Sequence, residues 1–217
     1  MLDASVATSM VFLMHDSSDF SADLPYSQAC ENNKRPILSV IKPAFAHCQR
    51  VLEVGSGTGQ HAVFFARELP HLLWQCSDQP AYLPDLQRRL QHQAASNLPA
   101  ALPLDIRHSD WSEPAADGVF SANTLHIMPW PVVQRFFQRL DNLAASKAEL
   151  CIYGPFNYQG EFTSQSNHQF HLSLQQRDPA MGIRDQEAIL ELAAAIGFQL
   201  QADHSMPANN RLLHFRR

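Results

Sequence analysis

The run Val51-Leu52-Glu53-Val54-Gly55-Ser56-Gly57-Thr58-Gly59 constrains the fold more than any other part of the chain. Its first four residues are apolar apart from one acid and read as a buried strand, while Gln60 to Glu68 carries helical periodicity. The glycines therefore fall where a strand hands over to a helix. Closely spaced glycines let the backbone turn sharply and let a ligand approach the main chain where a Cβ would obstruct it. In open α/β sheets ligands bind at such carboxyl ends of strands, so the run predicts both an architecture and the edge of the sheet that carries the site.

The rest of the chain repeats the rhythm. Strand-like runs at Arg50 to Val54, Leu72 to Cys76, Leu102 to Ile106, Val119 to Asn123 and Glu149 to Tyr153 are separated by helix-like runs at Gln60 to Glu68, Pro84 to Ala95 and Trp130 to Leu143. Val133, Phe136, Phe137 and Leu140 share one face of the last of these helices. Alternation of this kind builds a parallel sheet with crossover helices. Ser27 is placed to cap a leader helix through Ile37, Leu38, Val40 and Ile41, with Pro36 as a kink or restart. After a helix from Asp185 to Ala195, ended by Gly197, the runs Phe198 to Asp203 and Leu212 to Phe215 flank a turn region and predict an antiparallel hairpin.

With 217 residues, 45% of them hydrophobic, the chain suits one domain. We expect a loose segment over 1–25, a domain over 26–217, and within it a lid-like insertion over 155–184, where Gln, Ser, Asn and Phe replace the periodic pattern and the segment reads as loop. A formal charge of -5 speaks against a nucleic-acid partner held by phosphate neutralisation. Cys30, Cys48, Cys76 and Cys151 show no C-x-x-C spacing, which predicts free thiols and a cytoplasmic setting. The apolar run Met10 to Met14 is too short for a membrane span and lacks the flanks of a secretion signal, so no membrane partner is expected.

The chemistry of the glycine run narrows its ligand. Gln60 stands where a G-x-G-x-x-G dinucleotide fingerprint requires glycine, and no Gly-Lys-Ser or Gly-Lys-Thr follows. Glu53 brings an anion to the site, suiting a ligand with an ammonium and a sulfonium better than a pyrophosphate. Asp78, nineteen residues past Gly59 at the end of the second strand, is placed to accept both hydroxyls of a ribose. Asp105 closes the third strand and can accept from an adenine amino group, or act simply as a cap or turn residue.

Residues 51–59 resemble motif I of the class I S-adenosylmethionine (SAM) dependent methyltransferases, and Asp78 matches their second acidic position. The stretches Ala122-Asn123-Thr124-Leu125-His126-Ile127, Gly154-Pro155-Phe156, Gly182-Ile183-Arg184-Asp185 and Met206-Pro207-Ala208-Asn209-Asn210 are similar to an uncharacterised branch of that superfamily. The resemblance implies an α/β, Rossmann-like, seven-stranded, mostly parallel sheet with an antiparallel C-terminal strand and helices on both faces. It implies SAM as cofactor, with Glu53 at the methionine end, Gly55, Gly57 and Gly59 along the nucleoside, Asp78 on the ribose, Asp105 on the adenine and Asn123 facing the methyl group.

Transfer from a sulfonium is an in-line displacement in which positioning can do most of the work. Should the acceptor have to lose a proton, His126 after the fourth strand is the candidate base, with packing against Trp130 or capping of the next helix as the alternative. Tyr153 is the candidate to orient an acceptor, or a ring whose hydroxyl merely reaches solvent. Asp110-Trp111 could set an indole against the ligand or only cover the core edge, and Asn209 and Asn210 read as turn residues. His168, His171 and Asp178 lack the spacing of a metal site. The leading expectation is a methyltransferase for a small-molecule substrate, ahead of a non-catalytic SAM-binding sensor or partner subunit and of a nicotinamide-dependent oxidoreductase.

Overall fold

In the computed structural model the described residues are 24–108 and 115–217. The run Met10–Met14, most of the segment 1–25 and the pair Asp110-Trp111 lie outside them.

The leader helix α1 spans Gln28–Ala44 and is capped by Ser27, whose hydroxyl accepts from the Cys30 amide at 3.3 Å. There follow β1 (Arg50–Val54), α2 (Gln60–Glu68), β2 (Leu73–Asp78), α3 (Leu83–Gln93), β3 (Leu102–Pro103), β4 (Ala116–Ala122), α4 (Trp130–Leu143) and β5 (Ala144–Gly154). The chain continues through β6 (Phe156–Asn157), α5 (Gln165–Arg177), β7 (Arg184–Asp185), α6 (Gln186–Ala195), β8 (Gln199–Met206), a 3-10 turn at Pro207–Asn209 and β9 (Asn210–Arg216).

Seven strands form one sheet in the order β3-β2-β1-β4-β5-β9-β8. The pairings among β1 to β5 are parallel, and β9 enters antiparallel between β5 and β8. The fold is thus the expected Rossmann-like α/β sheet. Strand order reverses between β1 and β4, which leaves a crevice at their carboxyl ends.

Period-two alternation sends each strand's side chains into two cores. On one side Val51, Trp74, Cys76, Phe120, Cys151, Tyr153 and Leu212 pack with Ile37 and Ile41 of α1 and Phe65 of α2. On the other, Leu52, Val54, Val119, Leu150, Ile152 and Leu213 meet Phe136, Phe137 and Leu140 of α4 and Ile189 of α6. Among the described residues no helix is long and apolar enough to cross a membrane.

Segment 155–184 is not the continuous loop that its composition suggests. Ser164 accepts from the Asn167 amide at 3.1 Å and starts α5, while β6 and β7 pair in parallel, Phe156 with Arg184 and Asn157 with Asp185, closing the base of the insertion. The helix escapes detection because the side that carries its buried residues Asn167 and Leu174, continued by the exposed Phe170 and Arg177, follows a 3-4-3 spacing but holds only two apolar residues.

Candidate functional site

The glycine loop is held from inside the protein. Gly55 and Ser56 both donate their amides to the Ser77 carbonyl at 3.0 Å, Gly57 donates to Asp78 Oδ2 at 2.6 Å, and Gly59 donates to the Ser56 carbonyl at 2.9 Å. Arg89 of α3 donates to the Thr58 carbonyl and, at 2.5 Å, to that of Pro25. Gln60, whose presence separates this loop from a dinucleotide fingerprint, ties α1 to α2: its Oε1 accepts from the Ser27 amide at 2.6 Å and its Nε2 donates to Glu31 at 2.8 Å.

Two of the glycines are needed for different reasons. At Gly55 the backbone is left-handed (φ +77°) and a Cβ would lie 2.4 Å from Thr124 Cγ2. At Gly57 (φ +53°) a Cβ would meet nothing within 4 Å, because the main chain there borders open space. Gly59 serves packing, since a Cβ would come within 2.6 Å of Leu86 on α3.

That open space is a cavity of about 970 Å³, large enough for a nucleoside cofactor together with a second small molecule. Of the residues expected at the site, Gly55, Gly57, Asp78, Asp105, Asn123 and His126 line it together. Asp78 also accepts from the Gln79 amide at 2.7 Å. Burial raises its pKa, and the two backbone amides pull the other way. Asp105 is clamped by Arg107, whose Nε and Nη2 lie 3.0 and 2.6 Å from its two oxygens, and its carboxyl is held below the usual range. It also accepts from the Arg107 amide at 2.9 Å, so the turn geometry allowed by the sequence is present at the cavity wall. Asn123 directly follows β4 in a left-handed conformation (φ 58°), with its amide donating to the Tyr153 carbonyl at 2.9 Å. A non-glycine residue held there at the switch point is a mark of a functional edge.

His126 sits against the edge of Phe170 at 5.2 Å between centroids. Burial first, then the guanidiniums of Arg184 and Arg177, push its pKa down to about 4, so the imidazole is neutral at physiological pH. It packs on α5 rather than Trp130. Among the described residues no group hydrogen-bonds its ring.

Glu53, Gly59 and Tyr153 do not line the cavity. Strand alternation is the reason for the two side chains: Glu53 follows Val51, and Tyr153 follows Cys151, into the layer beneath α1 and α2. Glu53 is 2% exposed and accepts from Trp74 Nε1 at 2.8 Å. Burial pushes its pKa up to about 7, against the lowering effect of the Trp74 and Ser56 hydrogen bonds.

A stability test follows from Glu53. An unfolded glutamate titrates near 4.5, so between there and about 7 the folded chain holds the extra proton. The contribution is complete below 4.5 and is lost as pH rises through 7, to the extent of about 3 kcal/mol. Glu53→Gln keeps an acceptor for the Trp74 indole and removes this loss. Thermal denaturation should find the variant more stable than the parent above pH 7 and level with it near 4.5; parity at both would contradict the burial argument.

Several lining residues were not legible as site residues. Phe170 and Arg177 reach the cavity from α5, Gln79 and Tyr82 reach it from the turn between β2 and α3, and Cys30 from α1. For α5 the usable signal was Ser164 three residues before Asn167, an N-cap pattern. His168 and His171 pack on Phe162 at 4.7 and 5.0 Å, and His171 Nδ1 accepts from the Ile183 amide at 3.2 Å. Asn209 is left-handed in the 3-10 turn, as a turn residue can be, and its carbonyl accepts from Asn167 of α5 at 3.0 Å.

A family model described as "Protein of unknown function (DUF938)" matches residues 24–217. The fold is that of class I SAM-dependent methyltransferases. An O-methyltransferase family protein from Burkholderia thailandensis superposes with a TM-score of 0.72 at 18% identity, over 85% of this chain and 56% of that one. The S-adenosylmethionine-dependent methyltransferase SibL gives 0.72 at 18%, over 87% and 55%. The mitomycin 7-O-methyltransferase MmcR gives 0.69 at 18%, over 85% and 56%. The chain thus spans little more than half the length of these structures.

Proposed function

The chain belongs to the DUF938 family of proteins of unknown function, so its chemistry must come from its own cavity, and we propose that it is a SAM-dependent methyltransferase acting on a small-molecule acceptor. One observation carries this reading. The amides of Gly55, Ser56, Gly57 and Gly59 are all spent on internal acceptors, and one of those acceptors is the carboxylate of Asp78. A pyrophosphate at this loop would face the negative potential of the Asp78 carboxylate and find these four amides already taken, whereas a cationic nucleoside without phosphate meets an open glycine face and a ribose acceptor. The similarity to SibL, a protein described as SAM-dependent, supports the same cofactor.

The cavity residues fit that cofactor. Gly57 leaves the loop face open, Asp78 keeps lone pairs for the two ribose hydroxyls, and the turn at Leu104 to Ile106, with Asp105, flanks the base. Asn123 projects from the end of β4 toward the reacting region. Glu53, Gly59 and Tyr153 act from below, by anchoring Trp74, seating α2 on α3 and fixing the Asn123 amide through the Tyr153 carbonyl. When bound, SAM supplies a methyl group on a sulfonium that is transferred in line to the acceptor. His126, neutral at physiological pH, can take a proton from an acceptor hydroxyl, amine or thiol at its ring nitrogen. Helix α5 closes the acceptor side of the cavity and excludes water as a lid would.

The test is turnover of a metabolite extract with SAM, read by mass spectrometry as a gain of one methyl. A methylated product that disappears with His126→Ala supports the full reading. Saturable SAM binding with no product from any extract would instead support a non-catalytic SAM-binding protein.

A further inference from the structure

Helix α5 turns a definite face to the cavity. Asn167, Phe170, Leu174 and Arg177 are spaced 3-4-3 and so share one side of the helix. Asn167 is buried and donates to the Asn209 carbonyl at 3.0 Å and to Thr163 Oγ1 at 2.8 Å, which latches the start of the helix to the β8–β9 turn. Phe170 lies on the His126 ring, and Leu174 is in the core. Arg177, exposed to solvent, ends this side of the helix and lines the cavity at its edge. Among the described residues it has neither an ion-pair nor a hydrogen-bond partner.

The charges around it do not cancel in place. Asp105 is neutralised by Arg107. Asp178 lines the cavity beside Arg177, but its Oδ1 accepts from the Ala180 amide at 2.8 Å in a tight turn. Arg184 adds a second cation near His126 and has only carbonyl partners, those of Leu125, Met128 and Ala180. The same cavity also carries apolar lining, with Ile127, Met128, Val132 and Met181. A guanidinium at the edge of an apolar chamber offers a two-point hydrogen-bonding fork to a planar anion.

We propose that the acceptor is a small molecule with a carboxylate, held by Arg177, and an apolar body lying on Phe170, so that its nucleophilic atom is presented at His126. This rests on the cofactor reading above and adds the substrate's charge class. The same ionic contact would reduce the positive field on His126, since a bound anion faces the cation that acts on the ring.

The probes are 3-hydroxybenzoate and its neutral counterpart 3-hydroxybenzamide, titrated by calorimetry into the protein with and without S-adenosylhomocysteine. A charge-assisted contact predicts that the acid binds at least about tenfold more tightly than the amide, that this preference weakens with salt, that Arg177→Gln removes it and that Arg177→Lys restores part of it. Asp178→Asn should leave it intact or enlarge it. Equal affinity for acid and amide, no binding of the acid, or a preference that survives Arg177→Gln would overturn the proposal. Failure of S-adenosylhomocysteine itself to bind would count against the cofactor reading instead, and the carboxylate preference is still read on the free protein.

Discussion

Asp78→Ala should lose cofactor binding almost completely while the chain remains folded. The Asp78 carboxylate organises the loop through the Gly57 and Gln79 amides and is the acceptor placed for two ribose hydroxyls. Hydrogen bonds to a charged partner contribute about 1.5–3 kcal/mol each, so losing two weakens binding by about a hundredfold to ten-thousandfold. Calorimetry with S-adenosylhomocysteine reads the loss, and a melting curve checks the fold. Asp78→Asn serves as the conservative variant: it keeps the shape and one acceptor oxygen and should fall between parent and alanine. Parent-like affinity in both variants would remove Asp78 from the site.

A second large effect is expected in acid. His61 and His126 are both buried and neutral in the fold, with pKa values pushed down to about 4 from 6.5, burial being the main cause in each. A histidine depressed in this way contributes stability that is complete above 6.5 and is lost as pH falls toward 4. Each loss is about 3 kcal/mol. Glu53 gains about 3 kcal/mol over much of the same window, in the opposite direction. The net fall of about 3 kcal/mol is a large part of the 5–15 kcal/mol that typically holds a domain together. Denaturant titrations should show it between pH 6.5 and 4, and the double variant His61→Gln, His126→Gln should show a flat or rising profile. Glutamine retains a donor for Asn33 Oδ1, which lies 2.6 Å from His61 Nε2. An unchanged acid limb in the double variant would contradict the burial assignment.

The sheet was legible because its signals are local. Apolar runs such as Val51 to Val54 and Leu150 to Tyr153 are buried on both faces, and a parallel sheet between helices needs little else to announce it. The third strand shrank to Leu102–Pro103 at the edge of the sheet, where Pro103 is tolerated because its nitrogen faces away from β2 and the Leu104 amide still reaches the Asp78 carbonyl at 2.8 Å. The fifth lengthened to Ala144–Gly154, taking in exposed Ser146 and Lys147 that carry no apolar signal. Helix α5 was hidden for the reason that makes it interesting: the side it turns to the cavity holds Asn167 and the exposed Arg177 where a core-facing helix would place aliphatic residues.

The site was legible along the loop and at strand ends, where backbone chemistry dictates residue type. Gly55, Gly57, Asp78 and Asn123 belong to that class, each with a geometric requirement visible in the fold. Facing direction was the weak point. Glu53 and Tyr153 lie at the right height in the sheet, but whether a strand residue looks up into a crevice or down into a layer depends on register, and here both look down. Arg177, more than 50 residues beyond His126 in the chain, is brought to the same cavity by the latch between α5 and the β8–β9 turn and by the Gly182 amide, which donates to the His126 carbonyl at 2.9 Å.

The most direct measurement of the central claim is calorimetric titration of the purified protein with S-adenosylhomocysteine and, in parallel, with NAD. A loop whose glycine amides are internally spent and whose rim carries Asp78 should give saturable one-to-one binding of the adenosyl compound and none of the dinucleotide. Tight binding of NAD with no response to S-adenosylhomocysteine would contradict it.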